Sequence, residues 1–583
     1  MKKIKNQYLK ELLYLLGADK RKLLFIIPLF IVSSLLDVLG IGLIVPYVSL
    51  IVNPESIANG DYKIILDFFS LPSKASDLLV ITSVVLLLVF LFKTILIILI
   101  NWIIFSFGFG QQVRIRSLLM KSYQNMPYDK FLHRNSSEYV LAVTSLTGNF
   151  ATTLQTILKA LSEGIVAMAI LVMLAIINIE VLLILLFLLG MTIVFYNKKF
   201  RVKVGLYGGR SNIAGQNLLK WLSEAMQGFK EIRILGIEDY FYNKMVSNAR
   251  EVAKNSVKAN TINMAPRYII EFVSVMFIVS IVLSSMILGR DVSTMAPVIA
   301  VFGVAALRIM PSANVLSGAL IGLRFHRHAI SLIYSDLSEQ NNVATTFIKS
   351  EIGLKEDNNK FNTLTLKGIN FSYPGTNNYV LNDLSLNIKK NQSIGIIGET
   401  GSGKTTLIDI MLGLLTPQSG GIYYNGVSLK EEVLRKWISQ VAYLPQQAFL
   451  IDDSICNNIA IGVNNSQINR NKVISAAKKA RLTSFIEQLP DKYDTLIGEN
   501  GMRLSGGQRQ RISLARAFYH ERNVIIMDES TSSLDAETEN EVIKEISQLK
   551  GKVTTIIIAH NLKTLENCDI IYEVKNGNIK AST

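Results

Sequence analysis

Cysteine is nearly absent: Cys456 and Cys568 are the only two in 583 residues. So sparse a pair excludes a disulfide framework and a cysteine-based metal site, and it fits a reducing compartment. Nor does the N-terminal region read as a cleavable secretion signal. The first apolar run, Leu23–Val52, is too long for a signal core and lacks a cleavage site, so it reads as a retained span. No internal repeat and no low-complexity segment occur. Acidic residues are outnumbered, 45 against 60 Lys and Arg, leaving a net charge of +15. The excess does not gather on one soluble face, as a nucleic-acid-binding surface would require, but crowds segments between apolar runs.

Apolar residues are what the chain has in plenty. They make up 50% of it, the mean hydropathy is +0.33, and the long runs are confined to the first 325 positions. About 20 apolar residues cross a bilayer. On that measure the chain holds about six spans: 23–52, 78–107, 154–177, 181–196, 268–288 and 295–323. The segment 53–77 carries Glu55, Asp61, Asp67 and Asp77 against Lys63 and Lys74, and 178–180 and 289–294 are very short. The longer segments 108–150 and 197–267 are rich in Lys and Arg, as is the N-terminal stretch 1–22. The positive-inside rule places these basic segments, with both termini, in the cytoplasm. Ile4, Tyr8, Leu12 and Leu16 form a stripe that suits either the inner membrane surface or a protein face. Helical periodicity in 108–150 and 197–267 predicts that the second and fourth spans continue beyond the membrane, reversing near contact helices around 127–138 and 228–240. We read 1–337 as a helical membrane domain, the polar stretch 338–360 as a linker, and 361–583, where strand and helix signals alternate, as an α/β domain.

The α/β domain carries the clearest chemistry. Gly398-Glu399-Thr400-Gly401-Ser402-Gly403-Lys404-Thr405 matches the phosphate-binding loop, whose glycines let backbone N–H groups cradle phosphate oxygens. The apolar, β-branched run Ser393–Ile397 before it reads as a buried parallel strand. Leu407, Ile410, Met411 and Leu414 after it keep helical spacing, so a helix N-terminus points at the phosphates. Lys404 would neutralise β/γ-phosphates, the Thr405 hydroxyl would ligate Mg²⁺, and Thr406 follows at the helix start. The apolar strand 523–527 ends in Asp528, placed to hold Mg²⁺, and Glu529, placed to polarise an attacking water. Leu504-Ser505-Gly506-Gly507-Gln508 precedes a helix bearing Arg509, Arg511 and Arg516. It forms a second helix terminus suited to phosphate. One nucleotide needs one such loop, so this second terminus makes sense against the nucleotide held by another copy of the domain.

With these motifs in order, the chain resembles the ATP-binding-cassette transporters, in which that pentapeptide is the signature. The resemblance implies several roles. Tyr373 would stack on adenine, Gln446 would sense Mg²⁺ and face the membrane domain, and Ser533-Leu534-Asp535 would cross a dimer interface. His560 would contact the γ-phosphate. Ser533 stands where the family more often has Ala, and Asn561 where it has Arg; neither departure removes a catalytic group. ATP and Mg²⁺ are the implied cofactors, and a homodimer with signatures acting in trans is the implied assembly.

Cargo has to be read from the membrane half. Lys93 lies mid-depth in the second span, Arg308 in the sixth, and Arg267 at the mouth of the fifth. A cation at mid-membrane costs roughly 2.5–3.5 kcal/mol on insertion scales, so it needs a partner or a job. On the job reading these three cations line a basic cavity for an anionic substrate, such as a phosphate-bearing headgroup. The competing explanation pairs Asp37 with Lys93 and Glu271 with Arg267, while Arg308 lacks a carboxylate in its own span. Segments 265–271 and 307–314 resemble the bacterial flippases of PglK type, which move lipid-linked oligosaccharides for protein glycosylation. That resemblance implies a polyprenyl-pyrophosphate glycan as cargo, a bacterial inner membrane, and a small external helix, for which residues 62–71 would serve. An exporter of hydrophobic drugs, lipids or peptides is the alternative.

Overall fold

The computed structural model describes residues 2–52, 75–177, 179–287, 292–341, 361–529 apart from 374 and 377, and 544–582 apart from 545, 546, 560 and 561. The external helix expected at 62–71 lies outside the described residues, as do the dimer-crossing segment 533–535 and His560. The described residues form two compact units. One holds the helices up to 126 and from 132 to 341; the other holds residues 127–131 together with the α/β domain.

In the helical unit α1 (Lys2–Leu16) leads through a 3₁₀ turn, Gly17–Lys22, into α2 (Leu23–Val52). Then come α3 (Ala75–Gln124), α4 (Thr147–Ile177), α5 (Ile179–Gln227), α6 (Glu238–Ile287), α7 (Val292–Phe325) and α8 (Arg327–Asn341). The stretches Gln7–Ile44, Asp77–Gln124, Ser136–Ile177 and Val301–Phe325 are helical, long and apolar enough to cross a bilayer. In α5 and α6 the described apolar stretches are shorter, Leu182–Thr192 and Tyr268–Phe277. At 1.5 Å per residue, α3 and α5 reach about 75 Å, far beyond a hydrocarbon core of about 30 Å. The expected continuation of these spans is therefore present. Short helices stand at both predicted reversals, Tyr128–Leu132 and Phe229–Leu235.

Of the stripe on α1, Tyr8, Leu12 and Leu16 face protein. Leu12 and Leu15 are buried in one cluster with Ile330 and Ile333 of α8, and Ser331 donates to Glu11 at 2.9 Å. Helix α8 runs four residues past the boundary drawn at 337. Ser338, Glu339, Gln340 and Asn341 are polar, but none is a Gly or Pro that would stop a helix.

The α/β unit contains two sheets. An antiparallel sheet has the order β2-β1-β4-β5: β1 Thr363–Phe371, β2 Leu381–Lys389, β4 Ser419–Tyr424 and β5 Val427–Ser428. The second has the order β10-β9-β3-β8-β7-β6. Here β3 is Ser393–Ile397, β6 Val441–Leu444, β7 Val524–Asp528, β8 Thr554–Ile558, β9 Ile570–Lys575 and β10 Asn578–Ser582. All but β10 run parallel. Strand β7 is buried on both faces: Val524 and Ile526 enter one core, Ile525 and Met527 the other. That two-sided burial is why the strand reads as an unbroken apolar run. Tyr128 packs against the first of these cores, with Tyr373 beside it.

Candidate nucleotide site and intramembrane charge cluster

Parallel pairing of β3, β8, β7 and β6 brings four strand ends to one sheet edge, where ligands of open α/β sheets bind. The phosphate-binding loop leaves β3, Asp528 ends β7, Glu529 follows it, and Gln446 lies two residues beyond β6.

Loop geometry explains its glycines. Gly403 has φ +105°, and a Cβ there would sit 2.9 Å from Leu381 Cδ2 and 3.1 Å from the Val380 carbonyl oxygen. A Cβ on Gly398 would meet the Val574 carbonyl oxygen at 2.4 Å. Helix α9 (Lys404–Met411) starts directly from the loop. The Lys404 ammonium donates to the carbonyls of Gly398 at 2.8 Å and Glu399 at 2.9 Å, within the loop it would share with phosphate. The buried Ser402 hydroxyl has no hydrogen-bond partner in the structure, an orphan that a phosphate oxygen would satisfy. Tyr373 lies edge-on to Phe371, and its hydroxyl is 3.1 Å from that of Thr406, which fixes the ring beside the loop.

The carboxylates are held from β6. Gln446 Nε2 donates to Glu529 Oε2 at 3.0 Å, and Tyr443 donates to Asp528 Oδ2 at 3.4 Å. Glu529 occupies the left-handed region at φ +48°, a sparsely populated conformation for a side chain other than glycine. Its backbone N–H donates to the Ile558 carbonyl at 3.0 Å, which anchors that conformation. Burial, then the neighbouring Glu529 charge, raises the Asp528 pKa, while Tyr443 and Lys404 pull it back. Asp409 on α9 is pushed up to about 6 by burial and by Asp528. A hydroxyl, an amide oxygen and carboxylates short of positive charge are hard oxygen donors, and this set fits Mg²⁺. Thr405, Gln446 and Asp528 are the residues that would hold it, and the ion would offset phosphate charge there.

Ser505 caps α10 (Gly506–His520). Its Oγ accepts from the Gln508 N–H at 3.2 Å, and its own N–H donates to Gln508 Oε1 at 2.9 Å. This capping box leaves the N–H groups of Gly506 and Gly507 at the open end of the helix. Arg509, Arg511 and Arg516 turn inward instead: they donate to the carbonyls of Leu504, Arg481 and Asn458.

In the membrane half, Lys93 and Arg308 have partners. Asp37 on α2 is fully buried; it receives Lys93 at 2.5 Å and both Nε and Nη2 of Arg308 at 3.0 Å. Arg308 Nη1 also donates to Glu163 Oε2 on α4 at 3.0 Å, and Ser312 Oγ donates to the same oxygen at 2.6 Å. The pairing of Lys93 with Asp37 is thus present. Arg308, without a carboxylate in its own helix, takes two from neighbouring helices. Glu163 and Ser312 were missed; the signal available was a lone carboxylate inside the apolar run of α4. Arg267 lies on α6, its side chain and any pairing with Glu271 outside the described residues.

Comparison with known proteins covers both halves. A family model described as ABC transporter matches residues 381–532, and one described as ABC transporter transmembrane region matches 60–310. The chain is similar to the ATP-dependent lipid A-core flippase of Francisella tularensis, 30% identical over 400 residues. That match covers 68% of this chain and 63% of that protein, less than two thirds of the relative's length. The protein of the same name from Coxiella burnetii is 39% identical over 213 residues, 36% of each chain. The fold is similar to that of a bacterial Atm1-family ABC exporter solved with ATP bound, with TM-score 0.69, 94% of each chain covered and 20% identity. Membrane region and nucleotide-binding domain match in order, so the chain belongs to the ABC transporter family, with the exporter fold.

Proposed function

We propose that this chain is one half of a homodimeric, ATP-driven flippase. It sits in a bacterial inner membrane with both termini cytoplasmic and carries an anionic lipid-linked glycan. The observation that carries the ATPase reading is the convergence of Lys404, Gln446, Asp528 and Glu529 on one sheet edge. Each has the chemistry that nucleotide hydrolysis needs: charge neutralisation, metal binding and polarisation of water. His560, placed by family resemblance after β8, would complete the γ-phosphate contacts.

A lipid-like cargo is supported by relatives named for flipping lipid A-core. Within that class we assign a polyprenyl-pyrophosphate oligosaccharide, its phosphates met by Lys93, Arg267 and Arg308. Such a headgroup would have to compete with Asp37 and Glu163 for two of these cations. That balanced pairing favours a second reading, an exporter of hydrophobic drugs, lipids or peptides whose pathway needs no net positive charge. Proteoliposomes loaded with fluorescent lipid-linked oligosaccharide decide between them. The glycan reading expects ATP-dependent loss of accessible label on one face and cargo-stimulated ATPase. Stimulation by uncharged lipids or drugs, with none by the glycolipid, would overturn it.

The dimer has its own test. Ser505→Arg in one chain and Lys404→Ala in the other place both lesions on one composite site if the signature acts in trans. Such mixed dimers should retain one ATP per dimer. Loss of binding at both sites would mean that each signature serves its own chain.

A further inference from the structure

A groove opens where the basic turn Gly17–Lys22 meets the side of α3, apart from both sites above. It encloses 440 Å³ between α2 and α3. Its wall is apolar and aromatic: Phe25 is 79% exposed and Trp102 66%, with Ile103 and Phe107 beside them. Its rim is polar. Gln111 is buried and donates to Asp19 at 2.8 Å, while Lys22 reaches Asp19 at 2.9 Å and Arg114 at 3.5 Å. Lys20 and Arg21 are exposed on the same turn. Lys22 and Arg114 thus share one carboxylate whose oxygens are already taken, and with Lys20 and Arg21 the turn and Arg114 together carry three surplus positive charges.

The vertical order of these features selects the occupant. From Gln111 up to Trp102 the helix rises about 13 Å, from a charged rim to bare aromatic rings. That is the span from a headgroup to the upper part of an acyl chain. Trp and basic residues at such a boundary are interfacial anchors, and cations at the surface attract anionic lipids. A neutral lipid would satisfy the wall but not the rim; a soluble anion would satisfy the rim but not the wall. We propose that this groove is a binding site for a phospholipid with an anionic headgroup, its phosphate on the turn Gly17–Lys22 and one acyl chain along Trp102.

Trp102 makes the proposal measurable. The other tryptophans, Trp221 and Trp437, lie outside the apolar spans, so bromine atoms on acyl chains reach Trp102 alone. The full-length protein is reconstituted in phosphatidylcholine vesicles carrying equal small fractions of brominated phosphatidylglycerol or brominated phosphatidylcholine. The site predicts roughly fivefold stronger quenching per mole by the anionic lipid, as one surface cation worth about 1 kcal/mol gives. Trp102→Phe should remove the quenchable emission. Lys20→Gln, Arg21→Gln and Lys22→Gln together should bring phosphatidylglycerol down to the phosphatidylcholine level. Equal quenching of the unaltered protein by both lipids would overturn the proposal, leaving ordinary annular contact. A preference that survives the triple substitution in folded protein would overturn the assignment of the rim.

Discussion

Glu529→Gln should bind ATP within a few-fold of the unaltered protein and turn it over about 10²–10⁴-fold more slowly, the range general-base catalysis supplies. Glutamine keeps the size of the side chain and an oxygen for the hydrogen bond from Gln446, 3.0 Å away in the structure. What it loses is the ability to take a proton from water. Asp528, buried at the end of β7, is untouched, and so is the loop around Lys404. Binding and hydrolysis therefore separate. ATP-bound dimers should accumulate, visible as retained nucleotide after desalting alongside loss of phosphate release. Turnover within a few-fold of the original would remove Glu529 from the role and move attention to His560.

The loop and the Asp-Glu pair were legible in the sequence because local rules fix them. Gly403 must be glycine at its φ of +105°, and β7 must be apolar because both its faces are buried. Their meeting was not legible from composition or spacing. It depends on the order β3-β8-β7-β6, which joins strands more than 100 residues apart. Family resemblance supplied Gln446, and the structure gives its partner. The three arginines of α10 illustrate the opposite case. They follow a helix terminus read as suited to phosphate, and each bonds a backbone carbonyl of its own unit. In the membrane half, linear reading found the charges and one correct pair. It missed Glu163 because the partner of Arg308 lies 145 positions away on another helix.

Asp37→Ala should destabilise the helical unit more than loss of either cation. Asp37 has no exposed surface and is the carboxylate shared by Lys93 and Arg308. Without it, two cations compete for Glu163, which already receives Arg308 and Ser312. Removing one side of a buried pair costs about 3–5 kcal/mol, because the opposite charge stays buried unpaired. Yield of folded protein and its melting temperature should both fall. Lys93→Met in the same chain should recover part of the loss, since Arg308 and Glu163 then remain as a balanced pair. In a double-mutant cycle the combined cost should be smaller than the sum of the single costs. Arg308→Ala carries the functional contrast. If Arg308 only balances charge, folded yield and ATPase decline together. If it also meets cargo phosphate, flipping by equal amounts of folded dimer falls well below normal while basal ATPase persists, because the hydrolytic groups lie in the other unit. Asp37→Ala protein as stable as the original would sink the paired-charge account of the cluster and return Lys93 and Arg308 to the cargo pathway.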